Sequence, residues 1–299
     1  MLPEENKLLT ETAADTPCGA LMRRYWQPAA LSEELPPNGA PLPIMLLGEE
    51  LVLFRDKRGR LGLIDGHCAH RGADLSYGRL EDGGLRCIYH GWLYDVTGKI
   101  IDMPAEEDGG KSFRDSICHK AYPVEERAGV IFTYMGPGEP PLFPSYQFLN
   151  APLDRTFAIK LYSECNYLQG NEGNIDLAHL SFLHYNHKTF ARYGVGGELE
   201  QLDSRGAAPG KEAFDAELTD YGVRSYKIWH NAKPGFYHLY VTEFVLPNLT
   251  TFGGAGYAMG GIRSTGMSRS TTRAIGNTRS CTAPRTRSAW RLCGVIEHK

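Results

Sequence analysis

The sequence predicts an α+β fold of two units, a small antiparallel-β domain followed by a domain in which a sheet grips a helix. Three observations carry this. Short apolar runs broken by turn residues fill the first part of the chain, and a proline-rich break interrupts it at residues 137–141. Beyond the break, one helical stretch precedes long strand-like runs. In order, Pro43-Ile-Met-Leu-Leu, Leu51-Val-Leu-Phe and Leu61-Gly-Leu-Ile read as strands, separated by Gly48-Glu-Glu and Lys57-Arg-Gly-Arg turns. Trp92-Leu-Tyr-Asp and Gly129-Val-Ile-Phe-Thr-Tyr add further strands to the first domain. Pro137-Gly-Glu-Pro-Pro reads as the linker. Residues 158–162 read as a strand and 168–184 as a helix. Residues 212–230 and 235–247 return to strand patterning, including Tyr237-His-Leu-Tyr-Val-Thr-Glu-Phe-Val. The resulting division is 1–24, an N-terminal segment; 25–140, the small β domain; 141–262, the α+β domain; and 263–299, a basic tail.

Composition bounds the function. A chain of 299 residues, 42% of them hydrophobic, supports two compact domains. A net charge of −3 gives no nucleic-acid footprint. The first residues carry Glu4, Glu5 and Asp15 and no apolar run of signal-peptide length, and no stretch approaches the roughly 20 apolar residues of a membrane span. Seven cysteines, an odd number, fit a reduced, cytoplasmic setting. Cys18, Cys118 and Cys165 are expected to be ordinary buried or partly buried thiols.

The chemistry concentrates in two Cys/His pairs, Cys68-Ala-His70 and Cys87-Ile-Tyr-His90, each beside glycine in Gly66-His-Cys-Ala-His-Arg-Gly72 and Cys87-Ile-Tyr-His-Gly-Trp92. Two thiolates and two imidazoles can hold a [2Fe–2S] cluster with both cysteines on one iron and both histidines on the other, which raises its reduction potential. Structural zinc is the alternative for the same four residues. Zinc pairs usually join like with like, whereas here each loop carries one of each. Downstream, Asn166-Tyr-Leu-Gln-Gly-Asn-Glu-Gly-Asn-Ile-Asp176-Leu-Ala-His179 continues to His184. Asp176 and His179 share a helix face. His179 and His184 are five apart, about 140° beyond a full turn, so they converge only where the helix bulges or ends. Two histidines and a carboxylate with open positions describe an oxygen-activating non-haem Fe(II) site. Alone, the spacing reads by default as a helix with two ordinary histidines; after the first motif it reads as a metal site.

The stretch 66–92 resembles the Rieske iron–sulfur motif. With the second motif, the chain resembles the catalytic subunit of Rieske non-haem iron oxygenases, in the phthalate-dioxygenase-type branch. The likeness starts near Leu9, includes Gly19-Ala-Leu-Met-Arg-Arg-Tyr-Trp-Gln-Pro28, and runs to about Gly261. It implies a Rieske domain followed by a helix-grip-like α+β catalytic domain, here incomplete. It implies Cys68, His70, Cys87 and His90 as cluster ligands, His179 and His184 as ligands of mononuclear Fe(II), and Asp176 as the bridging catalytic acid. It also implies a flavin and iron–sulfur reductase as electron donor, a small aromatic substrate with O2, and a homotrimer in which His90 meets Asp176 of a neighbouring subunit. The family's third iron ligand, a C-terminal carboxylate, finds no match. A catalytically dead electron-transfer protein that keeps only the Rieske module is therefore the competing reading. Arg71 is a candidate for reductase docking, and Tyr167, Gln169 and Asn174 for the iron pocket or for anchoring the helix. His67, His119, His187, His230 and His238 have no ligand spacing.

The family pattern stops at residue 263. In residues 263–299, 18 of 37 residues are Ser, Thr or Arg, with eight basic residues against one acid. Such a shift usually marks a disordered or polyanion-binding extension. A change of reading frame explains it better. Codons exist for residues 263–282 that, read two bases on, encode FNWHVPIDDTRHWKYEILY, a run that resembles the strand and turn following this point in the family. On that reading the tail has no evolved fold of its own.

Overall fold

The computed structural model describes residues 2–150, 156–161, 165–181, 212–230, 237–253, 261–267 and 289–295. Its helices are α1 (Pro3–Thr10), α2 (Pro17–Met22) and α3 (Tyr167–Ile175). The strands begin with β1 (Gln27–Leu31), β2 (Leu42–Leu46), β3 (Glu49–Arg55), β4 (Leu61–Asp65), β5 (Arg79–Glu81) and β6 (Gly84–Arg86). They continue with β7 (Leu93–Tyr94), β8 (Ile100–Asp102), β9 (Ala121–Tyr122), β10 (Val124–Arg127), β11 (Val130–Thr133) and β12 (Thr156–Leu161). The last are β13 (Glu212–Thr219), β14 (Gly222–His230), β15 (Tyr237–Val245), β16 (Leu249–Gly253), β17 (Gly261–Met267) and β18 (Ala289–Val295).

The first eleven strands form three small antiparallel sheets, ordered β1-β11-β10, β2-β3-β4-β9 and β5-β6-β7-β8. Strand periodicity explains how they share cores. Successive side chains point to opposite faces, so β3 sends Leu51 and Leu53 into a core with Leu63, Cys18, Met22 and Ala30. Val52 and Phe54 go to the other side, into a core with Ile64, Cys68, Cys87, Trp92 and Tyr94. The second core is where the two Cys/His loops are rooted.

The N-terminal segment is tied to this domain by Arg23, whose guanidinium is buried. It donates to the carbonyls of Thr12 (2.8 Å), Gly19 (3.1 Å) and Leu47 (2.8 Å) and to Glu49 Oε1 (2.9 Å). Tyr122 Oη and Lys120 Nζ donate to Glu49 Oε2 at 2.7 and 2.9 Å. Burial alone pushes the Glu49 carboxyl up, but its bonds from Tyr122, Lys120 and Arg23 outweigh that and hold it below the usual glutamate value.

The remaining strands form one antiparallel sheet in the order β12-β18-β17-β16-β15-β14-β13. Helix α3 packs on β15, β16 and β17 and also meets α1. Three expectations change. The helix predicted over 168–184 ends at Ile175, because Asp176 adopts extended backbone (φ −70°, ψ 111°) and turns its carboxylate back onto following amides. Cys118 is exposed rather than buried. The tail is not without structure: its described residues include β17 and β18, which pair with each other and fill the gap between β16 and β12. Ile262, Thr265, Trp290 and Val295 are residues of high strand propensity, and the unpaired edges of β12 and β16 give them a template.

Glu49→Gln should lower stability at neutral pH by roughly 2 kcal/mol, the scale of a charged hydrogen-bonded group. A carboxylate held low in the folded state contributes above its unfolded value of 4.5, and that contribution fades as pH falls below it. The gap in urea midpoint between wild type and variant should therefore close on acidification; a gap independent of pH would contradict this role.

Candidate metal centres

The first site is built from two loops with one closure pattern. After β4, Cys68 N donates to Ala73 O (2.8 Å) and Gly72 N returns to Cys68 O (2.8 Å). Between β6 and β7, Cys87 N donates to Trp92 O (2.8 Å) and Gly91 N returns to Cys87 O (3.1 Å). Each turn needs left-handed backbone four residues after the cysteine, at Gly72 (φ 68°) and Gly91 (φ 78°), which suits glycine. Arg86 braces the second loop by donating to Gly91 O (2.5 Å) while Glu81 and Asp102 grip its guanidinium. That hydrogen-bonded grip holds the Glu81 carboxyl low.

The consequence is a division of depth. Cys68 and Cys87 are buried at 4% and 2% exposure and are not joined in a disulfide. His70 and His90 lie half-buried above them with ring centroids 4.5 Å apart, and the indole of Trp92 stacks on His70 at 4.7 Å and 8°. His70 Nδ1 is a buried polar atom with no hydrogen-bond partner among the described residues. Burial pushes the Cys87 thiol up, and the adjoining Cys68 adds to it. Two buried cysteine sulfurs beneath an unsatisfied imidazole nitrogen suit a metal centre, since metal binding deprotonates a thiol outright. The four side chains lie as a buried pair of sulfurs and a half-buried pair of rings, which fits a two-iron cluster.

The second site begins at α3. Asn166 caps it through Oδ1, which accepts from Leu168 N (2.9 Å). Tyr167 Oη donates to Leu9 O (2.6 Å) and lies 3.0 Å from Cys18 Sγ, so Tyr167 anchors the helix to the N-terminal segment. At the other end, Asp176 Oδ1 accepts from Ala178 N (2.8 Å), and Asp176 Oδ2 lies 3.5 Å from His179 Nδ1. Asp176 and His179 thus come together at the end of the helix rather than along its face. His184 and His187 lie outside the described residues. Gln169 is exposed, and Asn174 Nδ2 is buried without a partner among the described residues.

Two residues were missed by sequence reasoning. Asn171 is 3% exposed with both amide atoms unpartnered among the described residues, and its spacing four residues after Tyr167 could have flagged it. Tyr94 is fully buried with its hydroxyl 3.0 Å from Cys68 Sγ. A cavity of about 430 Å3 at the seam of β1, β11 and β16 is lined by Trp26, Phe132, Phe143 and Leu249. It includes none of the candidate metal-binding residues.

Residues 25–123 match the family described as the Rieske [2Fe-2S] domain. The chain is 44% identical over 184 residues to the 3-chlorobenzoate-3,4-dioxygenase oxygenase subunit of Comamonas testosteroni, covering 61% of this chain and 42% of that protein. It is 38% identical over 231 residues to the phthalate 4,5-dioxygenase oxygenase subunit of Pseudomonas putida, covering 75% of this chain and 51% of that protein. The chain therefore spans about half the length of the curated relatives it matches. In fold it is similar to the terminal oxygenase of carbazole 1,9a-dioxygenase from Nocardioides aromaticivorans IC177, with a TM-score of 0.66 at 20% identity over 98% of this chain and 78% of that one. Loop geometry, domain match and relatives agree, and the chain belongs to the Rieske-domain aromatic ring-hydroxylating oxygenases, in the phthalate dioxygenase-like branch.

Proposed function

We propose that the chain is the oxygenase component of a two-part system that takes electrons from a reductase and uses O2 to hydroxylate or O-demethylate a small aromatic substrate. The paired loop closures support this reading: they bury two cysteine sulfurs beside two imidazole rings 4.5 Å apart, the residue types a Rieske cluster would use. In it, Cys68 and Cys87 hold one iron, and His70 and His90 the other. His179, with His184, holds mononuclear Fe(II). Bound there, the two centres supply one-electron storage and oxygen activation. The chain's own residues do the rest. Trp92 fixes the plane of His70, Arg86 braces the loop that carries His90, and Asp176, whose Oδ2 lies 3.5 Å from His179 Nδ1, orients that ring. Ile88 and Tyr89, beside His90, are 58% and 64% exposed. That apolar rim favours a contact in which His90 of one copy faces Asp176 of the next, giving a cyclic trimer.

Cys68→Ser or His90→Ala should abolish the Rieske paramagnetic signal and leave mononuclear iron bound, since the two cluster loops belong to the small β domain and His179 follows helix α3. A full Rieske signal in Cys68→Ser would remove Cys68 from the site. Asp176→Asn should keep both centres loaded and slow substrate-dependent O2 uptake by roughly 10–100-fold, the usual effect of losing a group that orients a metal ligand. Uptake at the wild-type rate would make Asp176 structural only. Iron counting on the purified chain separates the oxygenase from the electron-relay reading, which predicts cluster iron alone.

We further propose that residues 263–299 arise from a change of reading frame. The sharp shift to Ser, Thr and Arg and the family-like run in the alternative frame support this. Sequencing the coding DNA decides it, because codons incompatible with the alternative frame would exclude the idea.

A further inference from the structure

We propose that the cavity at the seam of β1, β11 and β16 is a further small-molecule site, which takes an aromatic acid that carries a ring hydroxyl. Its volume is about 430 Å3. A cavity of roughly 150 Å3 already holds benzene, and ligand pockets run from about 300 Å3 upward. None of the candidate metal-binding residues lines it, so the proposal does not rest on the metal assignments.

Aromatic side chains form its walls. The rings of Trp26 and Phe143 meet edge to face with centroids 5.2 Å apart, and Phe132 meets Phe143 at 5.1 Å. Tyr146 stacks on Phe148 at 5.5 Å. Hydrogen bonds fix the parts against one another. Trp26 Nε1 donates to Pro141 O at 3.0 Å. The turn between β15 and β16 is tied to β1 by Asn248 Nδ2, which donates to Gln27 Oε1 at 2.9 Å. Leu246 N donates to Tyr221 O at 2.8 Å and so holds the turn between β13 and β14 beside it. An apolar pocket formed in advance takes up a flat ring with little ordering cost.

Two residues of opposite charge border this apolar space, Arg24 just before β1 and Asp220 in the turn between β13 and β14. Both are exposed, and neither side chain has a hydrogen bond or ion pair among the described residues. A guanidinium presents a planar fork of donors that matches a carboxylate. Asp220 only accepts, so it calls for a donor on the ligand and would repel a second acid. A hydroxybenzoate meets both demands. Its carboxylate serves Arg24, its hydroxyl donates to Asp220, and its ring lies among the aromatic walls.

Isothermal titration calorimetry of the full chain with benzoate, 3- and 4-hydroxybenzoate and benzyl alcohol tests this. One of the hydroxybenzoates should bind more tightly than benzoate, and benzyl alcohol more weakly than any of the acids. Arg24→Gln should weaken hydroxybenzoate binding about tenfold, the scale of one charged hydrogen-bonded contact, and bring benzoate and benzyl alcohol to similar affinity. Asp220→Ala should erase the advantage of the hydroxyl and leave benzoate binding undiminished. Because both side chains are exposed and unpaired, neither change removes a contact the fold uses, and matching thermal melts check that. Hydroxybenzoate binding unaltered in Arg24→Gln places the ligand elsewhere and overturns the proposal, as does a chain that binds none of the acids. A hydroxyl advantage that survives Asp220→Ala overturns the part assigned to that residue.

Discussion

Everything in the first domain depends on one constraint: two loops must lower their cysteine sulfurs into an apolar core while keeping their histidine rings near the surface. Burying a thiol beside another thiol gains little on its own, and burying an imidazole nitrogen without a partner costs free energy. The chain meets the constraint with the same backbone closure twice, each ending on a glycine of positive φ. The small sheets, the Trp92 stack and the Arg86 brace then serve that arrangement, since each fixes a loop atom that would otherwise have two or more positions. Seen this way, the alternation in β3 is functional as well as structural. It sends Val52 and Phe54 to the core that surrounds the cysteines, and Leu51 and Leu53 to the core that carries the N-terminal helices.

The N-terminal segment links the two sites. Arg23 fastens it to the small β domain, and Tyr167 fastens α3 to it through Leu9 and Cys18. The helix that ends at Asp176 and His179 is therefore referenced to the same body as the cysteine loops. The proposed function depends on such fixed geometry, because a ligand held by a short turn is only as well placed as the helix before it.

Much of this was legible in the sequence, and the misses have physical reasons. The strands around residues 43–64 were readable because β-branched and leucine-rich runs alternate with Gly and charged turns. The four candidate cluster residues stood out because a cluster would need fixed residue types at short spacing. The end of α3 was not, because periodicity continues past Ile175 while the aspartate side chain bonds the backbone and stops the helix. The contact of Tyr94 with Cys68 was hidden because it joins residues 26 apart, which no local pattern records. The tail misled in a different way. Its composition argues against an evolved domain, yet Thr265 and Trp290 sit in segments able to pair wherever a sheet edge is open.

Under the proposed function these two loops hold two inequivalent irons, one on sulfur and one on nitrogen. Mössbauer spectroscopy of the 57Fe-enriched, reduced protein should then show two cluster iron environments in equal amount, a localised ferrous site with histidine ligation and a ferric site with cysteine ligation. Two equivalent cluster irons, or a protein that carries zinc in place of that pair, would contradict it.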